Sequence, residues 1–138
     1  MKKEKQVCSL ELARKLKKLN CKQESLFWWC EWADRKPTIE YVENYDKDFI
    51  VETGGSMDRC SAYTVAELGE MLHKDTKNNK FPFYCSTQCI SRTDKTRNWM
   101  CFKGTGWVRN ELQFNAEKEA DARAKMLIYL IENKLLNK

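Results

Sequence analysis

The stretch YCSTQCISR, residues 84–92, sets two thiols four positions apart in a chain of 138 residues that carries seven cysteines. Cysteine pairs hold metal, cycle between thiol and disulfide, or fill space, and their spacing helps to choose among these. Pro82, Phe83, Tyr84, Thr87 and Ile90 favour an extended backbone here. On a strand Cys85 and Cys89 share a face but stand about 13 Å apart, at roughly 3.3 Å per residue. Two ligands of one zinc need their sulfurs within about 4 Å of each other. The spacing therefore excludes joint chelation and leaves the pair as small hydrophobes. The chain also lacks any C-x-x-C and holds a single histidine, so no metal site is expected.

Other reactive constellations are equally sparse. His73 falls at a predicted helix end, where its charge suits the macrodipole. No G-x-S-x-G, H-E-x-x-H or Walker-type loop occurs, and the GTG at 104–106 is too short to cradle a phosphate. A hairpin turn needs those glycines anyway. Glu40, Glu43, Asp46 and Asp48 sit in an acidic segment as solvated charge. The expectation is a protein without catalytic residues or cofactor, with an enzyme of unrecognised type as one alternative.

Binding chemistry has more to work with. Five Trp, six Phe and five Tyr are more rings than a minimal core requires. Trp28, Trp29, Phe49 and Phe102 are expected inside. Trp32, Trp99 and Trp107 lie near predicted strand ends, where a ring can stay half exposed. Beside Trp99, SRTDKTRNW supplies Arg92, Lys95 and Arg97. Cations next to an aromatic plate offer the two contacts a nucleotide wants, stacking for the base and charge for the phosphate. Arg92, Lys95, Arg97, Trp99, Trp32 and Trp107 form the candidate ligand-binding set. The competing reading is a basic turn beside a partly buried ring.

These side chains need a scaffold. The length indicates one α+β domain over residues 1–138. A helix is predicted from about Ser9 to Leu19, with Cys8, Leu12, Leu16 and Leu19 on its buried stripe and Ser9 as N-cap. Arg14, Lys15, Lys17 and Lys18 point away from that stripe, as a solvated face or an anion surface. ESLFWWCEW reads as a strand with Leu26, Trp28, Cys30 and Trp32 on one face and Phe27, Trp29 and Glu31 on the other. Both sets are largely apolar, so both faces are expected to be covered. PTIEYVE and DFIVET follow as strands, and TGGSMD breaks the chain. Thr64 and Glu67 form a T-x-x-E capping box, flanked by a Tyr63–Leu68 staple, for a helix ending near His73. FPFYCSTQCI and NWMCFK read as a hairpin, WVRNELQF as a further strand, and EKEADARAKMLIYLIENKLL as a long helix. The order is α-β-β-β-α-β-β-β-α, a layered sandwich of mostly antiparallel sheet with three helices.

Two of these segments, SAYTVAELGEML and EADARAKMLIYLIENKLL, resemble parts of small uncharacterised proteins encoded by phages and prophages, of the α-β-α sandwich type. The resemblance implies an accessory role inside a bacterial host, such as counter-defence, and brings no catalytic residues with it.

Charge and hydropathy bound the partners. Net charge is +5, but residues 1–23 carry +6, residues 24–70 carry −7 and residues 71–110 carry +6. That is not the uniform cationic coat of a general nucleic-acid binder. The basic start has no apolar stretch behind it, and the longest apolar run is MLIYLI, so neither a secretory leader nor a membrane span is expected. Odd, scattered cysteines fit a reducing cytoplasm. The expected partner is a nucleotide-type immune signal or a host protein, with single-stranded nucleic acid as the alternative. Oligomeric state stays open, because Met126 and Leu130 widen the apolar stripe of the last helix enough for a partner or for a central position.

Overall fold

A computed structural model describes residues 2–33, 35–41, 57–73, 84–89, 99–104 and 112–134. It is an α+β fold with antiparallel sheets and helices packed against them. In chain order the described elements are α1 (Lys3–Gln6), α2 (Leu10–Lys18), β1 (Phe27–Trp32), β2 (Thr38–Tyr41), β3 (Met57–Ser61), α3 (Val65–His73), β4 (Tyr84–Cys89), β5 (Trp99–Gly104), β6 (Leu112–Ala116) and α4 (Glu119–Glu132). Strands fall into two antiparallel sheets, β2-β1-β3 and β4-β5-β6. Helix α3 separates the two runs of three strands, so each run pairs within itself. The short α1 adds to the three expected helices. β3 begins at Met57, inside the stretch read as a break, and pairs with β1 from Trp28↔Ser61 to Trp32↔Met57. The strand expected at DFIVET lies outside the described residues.

The helices join the two sheets. α2 packs on β3 and on α4, α3 packs on α4 and β4, and α4 lies across β4, β5 and β6. One apolar cluster runs through all of them, from Cys60 on β3 through Leu12, Leu16, Leu68 and Leu72 to Met126, Leu127 and Leu130, and on to Cys101 of β5. Met126 and Leu130 are fully buried within the chain itself. A helix apolar on most of its circumference belongs in the interior, and α4 is that central helix.

Local signals explain the ends of the elements. The capping box forms as the spacing predicts: Thr64 N–H donates to Glu67 Oε1 at 2.9 Å, and Glu67 N–H donates to Thr64 Oγ1 at 3.2 Å. The same carboxylate also accepts Ser25 Oγ–H at 2.8 Å and Leu26 N–H at 3.3 Å. One side chain thus starts α3 and fixes the approach to β1. α2 stops at Asn20, which takes a left-handed φ of 65°. Cys21 N–H then bonds Leu16 C=O at 3.1 Å and Asn20 N–H bonds Lys17 C=O at 3.0 Å, a Schellman closure. Ser9 is the N-cap residue of α2, but without a side-chain bond. Its N–H instead donates to Asp121 Oδ1 at 2.6 Å, tying α2 to the first turn of α4.

The basic face of α2 is partly spent inside the molecule. Arg14 pairs with Glu31 on β1, and Lys17 lies 3.6 Å from Asp58 while donating to Arg59 C=O at 2.7 Å. These bonds clamp the helix onto the inner face of the first sheet. Among the described helices, none is long and apolar enough to cross a membrane.

Candidate functional site

The register of β1 decides which side chains stand together. Trp28 is opposite Glu40 and Ser61, Cys30 is opposite Thr38 and Arg59, and Trp32 is opposite Met57. Because side chains alternate across a sheet, these residues share one face. Phe27, Trp29, Ile39 and Cys60 take the other face and meet the N-terminal segment and α2, with Trp29 Nε1–H donating to Cys8 C=O at 2.9 Å. Trp28 and Trp32 lie on the face opposite the one that carries Trp29 and Cys60.

On that outer face each indole carries a guanidinium. Arg59 Cζ sits 4.4 Å from the Trp28 ring centroid, and Arg35 Cζ sits 4.5 Å from that of Trp32. Such contacts hold positive charge against a π face, worth about 0.5–1 kcal/mol each where water has access. Among the described residues the Arg59 guanidinium has no carboxylate salt bridge. The Trp32 indole is fixed by its Nε1–H donating to Thr38 Oγ1 at 3.0 Å. Trp28 is half-buried, and its Nε1–H is buried with no acceptor among the described residues. Trp28, expected in the core, is half-buried and belongs to neither apolar cluster of the described residues. Alternation divides an all-apolar strand into two faces without saying which one meets the helices.

Of the sequence-derived candidates, Trp32 stands at this site. Trp99 does not: it opens β5 on the second sheet, shares a face with buried Cys101 and packs against the main core. Arg92, Lys95, Arg97 and Trp107 lie outside the described residues, as does the core candidate Phe49. Arg35, Arg59 and Trp28 were missed. A signal for Arg59 lies in the β1–β3 pairing, which sets it beside Cys30 and diagonal to Trp28.

Among the described residues, burial raises the thiols of Cys8, Cys21, Cys30 and Cys60. Burial pushes Cys8 from its ordinary value of 9.0 up to about 12. Burial, reinforced by Glu40, pushes Cys30 up to about 11. Cys21 and Cys60 are raised by burial as well. β4 is extended from Tyr84 to Cys89, so the four-residue spacing of Cys85 and Cys89 keeps their backbones about 13 Å apart. Joint chelation by that pair is excluded, as its spacing predicts. The raised values give a pH expectation. Unfolded thiols ionise near 9.0 while the folded ones stay protonated, so the stabilising contribution is complete below pH 9 and drains away toward pH 11–12. The melting temperature should fall steadily above pH 9, and iodoacetamide at pH 8 should leave Cys8, Cys30 and Cys60 unmodified in the folded protein. Rapid labelling of these three would contradict their burial.

A concavity of about 560 Å³ lies between α2 and α4 with Leu12, Phe114, Ile128 and Tyr129 in its lining. Most of its charged groups are engaged internally. Lys125 donates to Asn115 C=O at 2.9 Å, Asp121 accepts from Ser9, and Lys15 lies 3.9 Å from Glu11. It offers apolar area but little uncommitted charge.

No protein-family model, no curated protein and no solved structure matches the chain.

Proposed function

We propose that this chain is a non-catalytic binding protein that holds a nucleotide-type ligand on the outer face of its first sheet. The observation that carries the reading is the pair of indoles on one face of β1, each with its own arginine within 4.5 Å. An indole plate takes a base, and a guanidinium presents five donors that suit a phosphate. The protonated thiols of the described core fit a role in binding rather than in nucleophilic chemistry. The resemblance of the two helical segments to phage and prophage proteins sets the setting: an accessory protein in a bacterial cytoplasm that sequesters a host nucleotide signal. Blocking a host protein through the basic face of α2 is less well supported, because Arg14 and Lys17 are already paired within the fold.

The test is a thermal-shift titration with nucleoside monophosphates at low salt. A ligand at 100 times its Kd stabilises by about 2.7 kcal/mol, a readily measured shift. The melting temperature should rise with nucleotide in the native chain and stay unmoved when Trp28 and Trp32 are both replaced by Ala. No shift with any nucleotide would remove the reading. A shift that survives the double replacement and disappears in Trp99→Ala would move the ligand to the second sheet.

A further inference from the structure

The cavity between α2 and α4 shares no residue with the face bearing Trp28 and Trp32. Its volume of about 560 Å³ falls within the roughly 300–1,000 Å³ that small-molecule sites occupy. Leu12 and Ile128 supply apolar lining, each buried but for 8% of its surface. Phe114 and Tyr129 add two aromatic rings, with centroids 5.7 Å apart and planes tilted by 49°. We infer that this cavity binds a small organic cation, a molecule with an apolar body and one amine or quaternary ammonium group, held by Tyr129 and Glu132. It is a second ligand site, independent of the nucleotide reading. Ile128, Tyr129 and Glu132 all line the cavity from α4, and Glu132 stands three positions beyond Tyr129. That spacing brings ring and carboxylate together as neighbours on one helix face.

Charge complementarity selects the cation. The lining holds three carboxylates, Glu11, Asp121 and Glu132, against two ammonium groups, Lys15 and Lys125. Lys125 already donates to Asn115 C=O at 2.9 Å, and Lys15 lies 3.9 Å from Glu11. Asp121 accepts Ser9 N–H at 2.6 Å and lies 3.8 Å from Lys118. Glu132 alone among these five has no hydrogen bond or ion pair with the described residues. It also closes α4, where the macrodipole is negative and the last turn carries no basic residue. Lys134 follows outside the helix and is not part of the cavity lining. An aromatic face attracts a cation through its quadrupole and repels an anion. Rings beside an unpaired carboxylate are the groups that recognise an ammonium, and the apolar residues next to them suit the body that carries it.

The experiment is a two-dimensional NMR titration of the full chain with three probes of one shape and different charge: benzyltrimethylammonium, benzyl alcohol and phenylacetate. The cation should move the backbone signals of Ile128, Tyr129 and Glu132 and bind at least about fivefold more tightly than the alcohol. Phenylacetate should bind most weakly. Glu132→Gln, a change at an exposed helix end, should cost the cation about fivefold and leave the alcohol unchanged. Tyr129→Leu, with circular dichroism confirming the fold, should weaken the cation more than the alcohol; if that variant unfolds, Glu132→Gln decides. A cation that binds no more tightly than the alcohol would overturn the inference, as would equal cation affinity in the native chain and Glu132→Gln. Tighter binding of phenylacetate would show that Lys15 and Lys125 govern the cavity, and would overturn it. Signals that move elsewhere, or no movement with any probe, would do the same. None of these failures touches the nucleotide reading, which is tested at Trp28 and Trp32.

Discussion

Leu16→Ala is expected to destabilise the whole chain by about 3 kcal/mol, within the range of roughly 2–5 kcal/mol for emptying a buried leucine site. Leu16 has no accessible surface and belongs to the cluster that runs from Cys60 on the first sheet to Cys101 on the second. α2 touches both β3 and α4, so a cavity there loosens the junction on which both sheets depend. The melting temperature should fall by about 10 °C, since 1 kcal/mol moves a domain of this size by a few degrees. Far-ultraviolet circular dichroism and tryptophan fluorescence should move together, because Trp29 on the first sheet and Trp99 on the second both pack on that cluster. Separate transitions for the two signals would show that the sheets fold as independent units.

Reversing the charge at Arg59 should have the largest effect on binding. Arg59→Glu removes the cation held over Trp28, worth about 0.5–1 kcal/mol. It also removes a charged hydrogen bond to phosphate, worth about 1.5–3 kcal/mol. Repulsion is added where attraction stood, so a loss of about 100-fold in affinity for a nucleotide is expected. Arg59→Ala should be milder and more diagnostic. Neutralising a phosphate releases counterions, with a slope near −0.7 per contact in log affinity against log salt for single strands. Removing one such contact should flatten the slope by about that amount. Arg14→Ala, on the inner side of the same sheet, should leave the slope unchanged because Arg14 is paired with Glu31. Equal salt dependence in the native chain and Arg59→Ala would mean that this guanidinium meets no phosphate.

Much of the scaffold was legible where one local pattern had one physical solution. The T-x-x-E box specified the start of α3 because Thr64 and Glu67 satisfy each other across three residues. The α2 stripe and the extended Tyr84–Cys89 segment were legible for similar reasons of period and residue type. Contacts between residues far apart in sequence were not. Nothing local to Arg14 and Lys17 reveals Glu31 and Asp58 as their partners, so the basic face of α2 was open to an anion-surface reading. The acid Glu67 likewise carries bonds to Ser25 and Leu26 that no spacing rule contains.

The candidate site illustrates the same divide. Alternation separated Trp28, Cys30 and Trp32 from Phe27, Trp29 and Glu31, and the register confirms both sets. Which set looks outward depends on where α2 docks, and that depends on Trp29, Cys60 and the two ion pairs of the inner face. Trp32 was identifiable from its place at a strand end. Trp28 became a site residue only when Arg59 arrived from a strand beginning 25 residues after β1 ends.

The most direct measurement is a two-dimensional NMR titration of the five indole Nε1–H signals with nucleoside monophosphates, each signal assigned by its loss in a Trp→Phe variant. A binding face on the first sheet predicts that the Trp28 and Trp32 signals shift as nucleotide is added. The Trp29 signal, bonded to Cys8 C=O beneath the sheet, should stay in place. Shifts at Trp29 or Trp99 with Trp28 and Trp32 unmoved would contradict a binding face on the outside of the first sheet.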